Sequence, residues 1–317
     1  MVLSGQLVEN SLLPFIFRII LKNLKTKLII IRLKDKEVYV MILGIDIGGS
    51  TTDIVGIDNN EIFDLFTVEA SDPTTSAYGA LGKMLTKNML DIDDIDKIAI
   101  TGVGSSYIDS TIFGIKTIKV DEFEAIGLGG SFLSGINKAL VVSLGTGTAM
   151  VNVNKSKIEH IGGTGIGGGT LLGLGKGILN IIDFEEIIEL AKHGNLHKVD
   201  LTIGDISNEK VGTLNQSVTA SNLGNVHKVA SEEDYAKGIL NLIYQNIGML
   251  AVFGAQMTNN KDIIFTGKLA QIEEGITILK ALRDNKSYDI KLHFPENATF
   301  STAIGAAISV INSDDIN

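Results

Sequence analysis

The sequence has no cysteine, no tryptophan and only three prolines among its 317 residues. Without cysteine the chain can have no disulfide framework, no thiolate nucleophile, no cysteine-type zinc site and no cysteine-held iron–sulfur cluster. Basic residues are also in the minority, with 27 Lys and Arg against 37 Asp and Glu, so a general nucleic-acid binder is not expected. With 44% hydrophobic and 20% charged residues, the composition predicts a globular protein of about two domains, and a cytoplasmic enzyme is the leading class.

Residues 1–40 differ from the rest because they are basic, with seven basic and three acidic residues. Their apolar runs are broken by charge before they reach the roughly 20 residues of a membrane span, and the charge order is not that of a secretory signal. Three interpretations stay open: a membrane-surface helix, a helix and strand added to the core, or an extension outside the native coding sequence. The third is favoured, because Lys36-Glu37-Val38 can be encoded by a ribosome-binding sequence placed shortly before Met41.

Glycine is abundant by contrast, with 35 residues, and it clusters directly after apolar runs. Ile42–Asp46 is followed by Gly48, Gly49, Ser50 and Thr51, and the apolar run 139–144 is followed by Gly145-Thr146-Gly147-Thr148. Each pattern predicts a strand, a tight turn and a second strand. This hairpin element recurs at 42–55 and 140–153, which indicates an internal duplication.

The remaining segments alternate between strand and helix patterns, as in α/β proteins. Strands are predicted at 97–100, 116–120, 263–265 and 288–293. Helices are predicted at 77–88 with Ser76 as N-cap, from Asp121-Glu122 onward, and at 170–179, 183–192, 234–257, 269–282 and 301–311.

Two facing hairpins of this kind can hold a polyphosphate through backbone N–H groups and hydroxyls. Asp46 at the first hairpin can hold Mg²⁺, usually through water, and the turn at Gly267 leaves flat space for a nucleoside base. These features predict a two-domain actin-like (ribonuclease-H-like) ATPase fold with duplicated βββαβα-type domains and ATP in the cleft. The predicted lobes are residues 41–115 with about 300–317, and residues 116–299, which would carry the acceptor and dimer segments.

An ordered set of segments resembles the type II pantothenate kinases. The matching segments run from Met41 to about Ile311 and comprise Gly44-Ile45-Asp46-Ile47-Gly48-Gly49, Val120-Asp121-Glu122-Phe123, Gly145–Thr148, Gly162–Gly169, Leu172–Gly175, Ala191–Gly194, Asp200-Leu201, Val218–Asn225 and Phe300–Ala306. The segment 219–225 is the most family-like of these. A lone Gly-Ile-Asp-Ile-Gly-Gly would be common to the whole superfamily, whereas the ordered set is specific.

The resemblance implies ATP- and Mg²⁺-dependent phosphorylation of pantothenate to 4'-phosphopantothenate, the first step of coenzyme A biosynthesis. It implies a homodimer, with coenzyme A or acyl-CoA as a feedback ligand. Glu122 matches the family's catalytic base, and His160 stands at a second catalytic position. The implied nucleotide-binding residues are Asp46, Gly48, Gly49, Ser50, Thr51, Gly145, Thr146, Gly147, Thr148, Gly167, Gly168, Gly169, Thr266 and Gly267, with Asp46 toward the metal.

Two positions depart from the family pattern. Asp53 stands where the family usually has a basic residue, and His160 stands where it has Arg, whose charge is permanent. The open alternative is therefore a pantothenate-kinase-like protein that binds nucleotide or coenzyme A without catalysis, or that uses another acceptor. The ATPase activators of radical dehydratases share the fold, but they need cluster cysteines, which this sequence lacks.

Overall fold

The computed structural model describes residues 41–49, 51–59, 61–69, 72–209, 212, 215–284 and 289–314, all within one compact unit that spans residues 40–317. The predicted extension at residues 1–40 and the site residue Ser50 lie outside the described residues. The predicted limits of the two lobes stay a prediction.

The first sheet is built around the first predicted hairpin. Its strands are β1 (Met41–Ile47), β2 (Thr51–Asp58), β3 (Glu61–Glu69), β4 (Lys97–Thr101), β5 (Thr111–Ile112) and β6 (Ile115–Lys119), in the order β3-β2-β1-β4-β6-β5. The first three strands are antiparallel, whereas β4 runs parallel to β1 and β6 runs parallel to β4.

The second sheet repeats this arrangement. Its strands are β7 (Lys138–Leu144), β8 (Thr148–Asn154), β9 (Lys157–Thr164), β12 (Asp262–Thr266) and β13 (Lys291–His293), in the order β13-β12-β7-β8-β9; a separate pair is formed by β10 (Leu201–Thr202) and β11 (Thr219–Ser221). Again three antiparallel strands are followed by two parallel ones. The predicted duplication is confirmed, although β3 and β9 were not predicted from the sequence as separate strands.

Eight α-helices lie in the described residues. They are α1 (Pro73–Asn88), α2 (Glu122–Ser134), α3 (Gly168–Leu174), α4 (Phe184–His193), α5 (Ile203–Ile206), α6 (Glu232–Met257), α7 (Glu273–Asp284) and α8 (Ser301–Asp314). Residues Gly175–Leu179 continue α3 with a wider helical turn, so the predicted helix 170–179 changes its hydrogen-bond pattern halfway. Residues 268–271 form a separate short turn before α7, and the strand predicted from 288 begins at Lys291.

The start of α1 differs from the prediction. The N-cap is Asp72, whose carboxylate accepts from Thr75 N, and the helix begins with Pro73. Ser76 is instead buried in the first turn, where its Oγ donates to Thr52 Oγ1. The prediction of Ser76 as the cap was wrong because Pro73, with its fixed φ, is favoured in the first helical turn and moves the start one turn earlier.

Alternation along β1 sends side chains to two helical layers. Leu43 and Ile45 pack with α1 residues such as Leu81, whereas Ile42 faces α8, where it joins a buried cluster with Ala303 and Ile304. Both faces of the first sheet are therefore covered.

The second sheet is also covered on both faces. Ile126 of α2 packs with Val141 and Val151 on one face, and Ile243 of α6 packs with Leu140 on the other. Helix α6 has the length and apolar composition of a membrane span, but 67% of its most apolar window is buried inside the protein. In this fold α6 is thus a core helix.

Helices α2 and α8 meet between the two sheets with almost no side chain between their backbones. A Cβ atom added at Gly305 would lie 1.8 Å from the carbonyl oxygen of Ala125, and one added at Gly129 would lie 1.8 Å from that of Ser301. Real carbon and oxygen atoms cannot approach so closely, so both positions require glycine.

We expect Gly305→Ala to lower the free energy of unfolding by about 1–3 kcal/mol, the usual cost of overpacking a dense interior. Urea denaturation of the purified variant measures this change. The matched control is Gly79→Ala in α1, where an added Cβ contacts nothing within 4 Å. That substitution should raise stability by about 0.4–1 kcal/mol. A Gly305→Ala variant as stable as the wild type would contradict the close packing of α2 and α8.

Candidate active site

The first hairpin brings two carboxylates face to face. Gly48 N donates to Thr51 O at 2.9 Å and closes the turn, and the resulting register places Asp46 on β1 directly opposite Asp53 on β2. On its other side, Asp46 is level with Thr101 at the end of β4. Asp46 thus lies at the end of the sheet where β1 and β4 end and β2 begins.

Gly102 packs its backbone against the Asp46 carboxylate. Its φ is +83°, and an added Cβ would lie 2.3 Å from Asp46 Oδ1 and 2.6 Å from the carbonyl oxygen of Ile47. Only glycine adopts this conformation readily and leaves room for the carboxylate. The sequence interpretation did not single out Gly102 as a site residue, although the run of apolar residues ending in Thr101-Gly102 marks the same type of turn as Thr266-Gly267.

Glu122 adds a third carboxylate at the first turn of α2. The side chain of the N-cap Asp121 accepts from Phe123 N and Glu124 N, both at 3.0 Å, which fixes where the helix begins. Glu122 is partly buried, and its charge reaches Asp46. Glu124 takes another direction, since its Oε1 accepts from Ser309 Oγ of α8 at 2.7 Å.

These three carboxyl groups hold their protons more tightly than usual. Burial, followed by the charges of Asp53 and Glu122, raises the pKa of Asp46 from 3.8 to about 7. Burial also raises the pKa of Asp53, opposed by a hydrogen bond from Thr67 Oγ1 at 2.5 Å and by the charge of Lys268. Burial and the charge of Asp121 raise the pKa of Glu122. Such a cluster favours the uptake of a proton or a cation.

The second hairpin is held by the start of α3. Gly145 N donates to Gly147 O, Gly168 N donates to Gly145 O, and Gly169 N donates to Thr146 O, each at 2.9 Å. An added Cβ at Gly167 would lie 2.6 Å from Thr146 O. The predicted site glycines 167–169 therefore shape the 145–148 turn through direct backbone contact.

The hydroxyl groups of Thr148, a predicted site residue, and of Thr52, the neighbour of the predicted Thr51, form hydrogen bonds inside the protein. Thr148 Oγ1 donates to Ile166 O at 2.8 Å, and Thr52 Oγ1 accepts from Ser76 Oγ. Thr148 and Thr52 are both nearly inaccessible. In this arrangement Thr148 stabilises the second hairpin. In the first turn Thr51 is partly accessible, and Gly48 and Gly49 line a cavity of about 250 Å³ together with Thr52 and Ser76.

The turn after β12 repeats the turn after β4. Gly267 has a φ of +86°, its N–H donates to Ala298 O at 2.8 Å, and an added Cβ would lie 2.5 Å from Leu144 O. Thr266 is level with Ser143 on β7, just as Thr101 is level with Asp46 on β1. The predicted nucleoside turn is thus placed beside the second hairpin.

His160 lies on β9 next to the start of α2. The pairing of β8 and β9 shifts between Met150 and Val151, and the imidazole stacks on the Phe123 ring with centroids 3.7 Å apart and planes 11° apart. These two rings line a cavity of about 650 Å³ together with residues that include Asp121 and Lys155. His160 therefore lies against Phe123, the residue that follows Glu122, and its catalytic role stays a prediction.

The family-like segment 219–225 is organised by one buried carboxylate. Asp200 is fully buried and accepts from Leu223 N at 2.8 Å, Asn241 Nδ2 at 2.7 Å and Thr219 Oγ1 at 3.1 Å. Neutral donors from the segment 219–225 and from α6 thus converge on one side chain. Sequence patterns name these residues but could not pair them, because the contacts join positions far apart in the chain.

The carboxylate side chains at the first hairpin fit a hard divalent cation. Mg²⁺ is usually held by one or two carboxylates, with substrate phosphates and water completing its shell. In the part of the chain that the structure describes, no group of three or more His, Asp or Glu side chains is arranged to hold a metal ion without other ligands. Asp46, which lies near two further carboxylates, fits a site in which one or two carboxylates hold the ion and phosphates and water complete its shell.

Asp46→Asn gives a stability test of this cluster in metal-free buffer. Since the folded-state pKa is raised, the wild-type contribution of Asp46 to stability is lost as the pH rises from about 4 to about 7. Asn cannot ionise, so at pH 8 we expect the variant to be more stable by about 2–4 kcal/mol, with little difference at pH 4. Urea denaturation at both pH values measures it.

Asp93→Asn, at an exposed position in the short turn 92–94, is the control and should change stability at neither pH. Equal stability of Asp46→Asn and the wild type at pH 8 would mean that burial and the neighbouring charges do not raise the pKa of Asp46.

The chain is similar to known proteins in sequence and in structure. The protein-family model described as Fumble matches residues 136–309. A type II pantothenate kinase from Bacillus cereus is 30% identical over 234 residues, which are 71% of this chain and 82% of that protein.

Among solved structures, the activator of the 2-hydroxyisocaproyl-CoA dehydratase from Clostridium difficile with bound ADPNP matches with a TM-score of 0.64 at 16% identity, covering 87% of this chain and 96% of that one. A ROK family glucokinase from Streptomyces griseus in complex with glucose and AMPPNP matches with a TM-score of 0.54 at 13% identity, covering 85% and 98%.

The structural neighbours share the fold, which confirms the predicted two-domain actin-like class. The match to the family model and the identity to the Bacillus cereus enzyme go further than fold. The chain belongs to the Fumble family, the family of the type II pantothenate kinases.

Proposed function

We propose that this protein is an ATP-dependent kinase that phosphorylates pantothenate to 4'-phosphopantothenate, the first step of coenzyme A biosynthesis. The observation that carries the proposal is the presence of a partly buried Glu122 beside Asp46 in a chain that is 30% identical to a type II pantothenate kinase. The relatives are named as kinases, so the non-catalytic alternative is not favoured.

Glu122 is the candidate general base. The primary hydroxyl of the acceptor would give its proton to the Glu122 carboxylate while its oxygen bonds to the γ-phosphorus of ATP. The bond between that phosphorus and the β,γ-bridging oxygen breaks, and ADP leaves with the bridging oxygen. A raised pKa brings Glu122 closer to the working pH, which favours proton transfer.

Asp46 is the candidate residue for holding Mg²⁺. When bound there, the ion would neutralise negative charge on the transferring phosphates. Asp53 lies within the same charge cluster and orients toward Thr67. His160, stacked on Phe123, stays the predicted second residue on the acceptor side. A cytoplasmic location and feedback by coenzyme A or acyl-CoA also stay predictions.

A coupled assay of ADP release with and without pantothenate tests the reaction. We expect pantothenate-dependent release in the wild type, and a loss of about 10²-fold or more in kcat for Glu122→Gln, the usual size of a general-base contribution. Asp93→Asn, at an exposed position in the short turn 92–94, is the control and should keep kcat within about twofold. ADP release that ignores pantothenate would refute the acceptor, and full activity of Glu122→Gln would refute the base.

A homodimer is proposed from the exposed side of α6. Leu250, Phe253 and Met257 are 40, 49 and 77% exposed and lie on one face of the helix at spacings of three and four residues. A row of large apolar side chains on an otherwise packed core helix is typical of a contact between chains.

Phe253→Ser is therefore expected to shift the protein from dimer to monomer, as measured by light scattering after size-exclusion chromatography. Met89→Ser is the control, because Met89 is also an exposed apolar residue, at 77%, but lies at the end of α1. A wild-type protein that is monomeric at high micromolar concentration would rule out this interface.

A further inference from the structure

The two sides of the nucleotide cleft differ in charge although they share one architecture. The ends of β1 and β4 carry Asp46 and Thr101, and the equivalent ends of β7 and β12 carry Ser143 and Thr266. On β2, Asp53 faces Asp46, whereas the equivalent position on β8 is Ala149 facing Ser143. The first sheet thus places acidic side chains at the cleft, whereas the second sheet places neutral side chains at the equivalent positions.

The residues that follow the two Thr-Gly turns also differ in charge, and here the second sheet carries the charged side chain. Val103 follows Gly102 and is 67% exposed, while the exposed Lys268 follows Gly267. Both glycines have almost the same backbone φ, +83° and +86°, and each begins a short helical turn. Lys268 therefore occupies on the second sheet the place where the first sheet has an apolar side chain.

The Lys268 ammonium group contacts an aromatic ring and lies within electrostatic range of the first hairpin. Its Nζ lies 4.9 Å from the centre of the Phe184 ring, a cation–π distance. Its charge also acts on Asp53 of the first hairpin and favours the ionised carboxylate there. Because Gly267 packs on Leu144, which directly precedes the 145–148 turn, Lys268 starts beside the second hairpin.

A nucleoside triphosphate entering this cleft meets Asp46, Asp53 and Glu122, and their charges repel its phosphates. A cation on Asp46 offsets part of that repulsion, and a second positive charge is needed near Asp53. Lysine is a common phosphate ligand that acts as a mobile point charge.

We propose that Lys268 is a phosphate-binding residue that supplies, from the second sheet, the positive charge that the first hairpin lacks at Asp53. Without nucleotide the ammonium group lies over the Phe184 ring; with nucleotide it contacts the β- or γ-phosphate. The inference rests on the proposed function, since it takes ATP as the ligand.

Equilibrium binding tests it without turnover. Dissociation constants for a non-hydrolysable ATP analogue, ADP and adenosine are measured in the presence of magnesium for the wild type, Lys268→Met and Lys268→Arg. We expect Lys268→Met to weaken the ATP analogue about 10- to 100-fold, the range for losing a hydrogen bond to a charged group, and to leave adenosine binding unchanged. Lys268→Arg should bind within about threefold of the wild type.

Lys280→Met is the matched control, because Lys280 is also exposed and its Nζ also lies over a phenylalanine, 5.9 Å from the Phe294 ring centre. It should bind all three ligands as the wild type does. Relocating the charge with Asp53→Lys in the Lys268→Met background should restore binding of the ATP analogue.

The outcomes separate the two proposals. If the wild type does not bind the ATP analogue, the proposed function fails. If the wild type binds it and Lys268→Met behaves like Lys280→Met, the role of Lys268 is refuted. An equal loss for adenosine and the ATP analogue would also refute it, because Lys268 would then contact the nucleoside.

Discussion

The direct backbone contact between α2 and α8 is the constraint on which the rest of the structure depends. Gly129 and Gly305 let the two helices approach until peptide groups touch, and the pair fills the space between the sheets. Because α2 is fixed in this way, its first turn is fixed too, and Glu122 comes within electrostatic reach of Asp46. A bulkier contact would move the candidate base away from the hairpin, so packing in the core sets the geometry of the chemistry.

Charge is the second organising factor, and it is distributed unevenly between two similar halves. The first sheet gathers carboxylates whose pKa values burial and mutual repulsion raise, while the second contributes glycine turns and Lys268. Such a cluster is unfavourable in the absence of cations. A cation bound at Asp46 would offset this repulsion, so the proposed metal would stabilise the cluster.

Local patterns in the sequence predicted the parts of the fold that local chemistry decides. Both hairpins followed from an apolar run that ends in glycine and hydroxyl residues, and the duplication followed from their recurrence. The N-cap of α1 was wrongly predicted at Ser76 because a serine before a periodic run resembles a cap. In the structure Asp72 caps the helix and Pro73 begins it. The effect of the Lys268 charge on the pKa of Asp53 could not be predicted, since only the folded sheets bring such distant positions within electrostatic range.

Helix α8 is the last element of the described chain, and this position affects how the protein folds during synthesis. During synthesis β1, β2 and β4 leave the ribosome early, but the helix that covers Ile42, Val55 and Ala99 is translated after the whole second sheet. Until then one face of the first sheet lacks its partner, and α2 lacks the glycine contact that positions it. Nascent chains of this protein therefore expose an apolar sheet face for most of their synthesis, which makes them candidates for chaperone binding before the last helix docks.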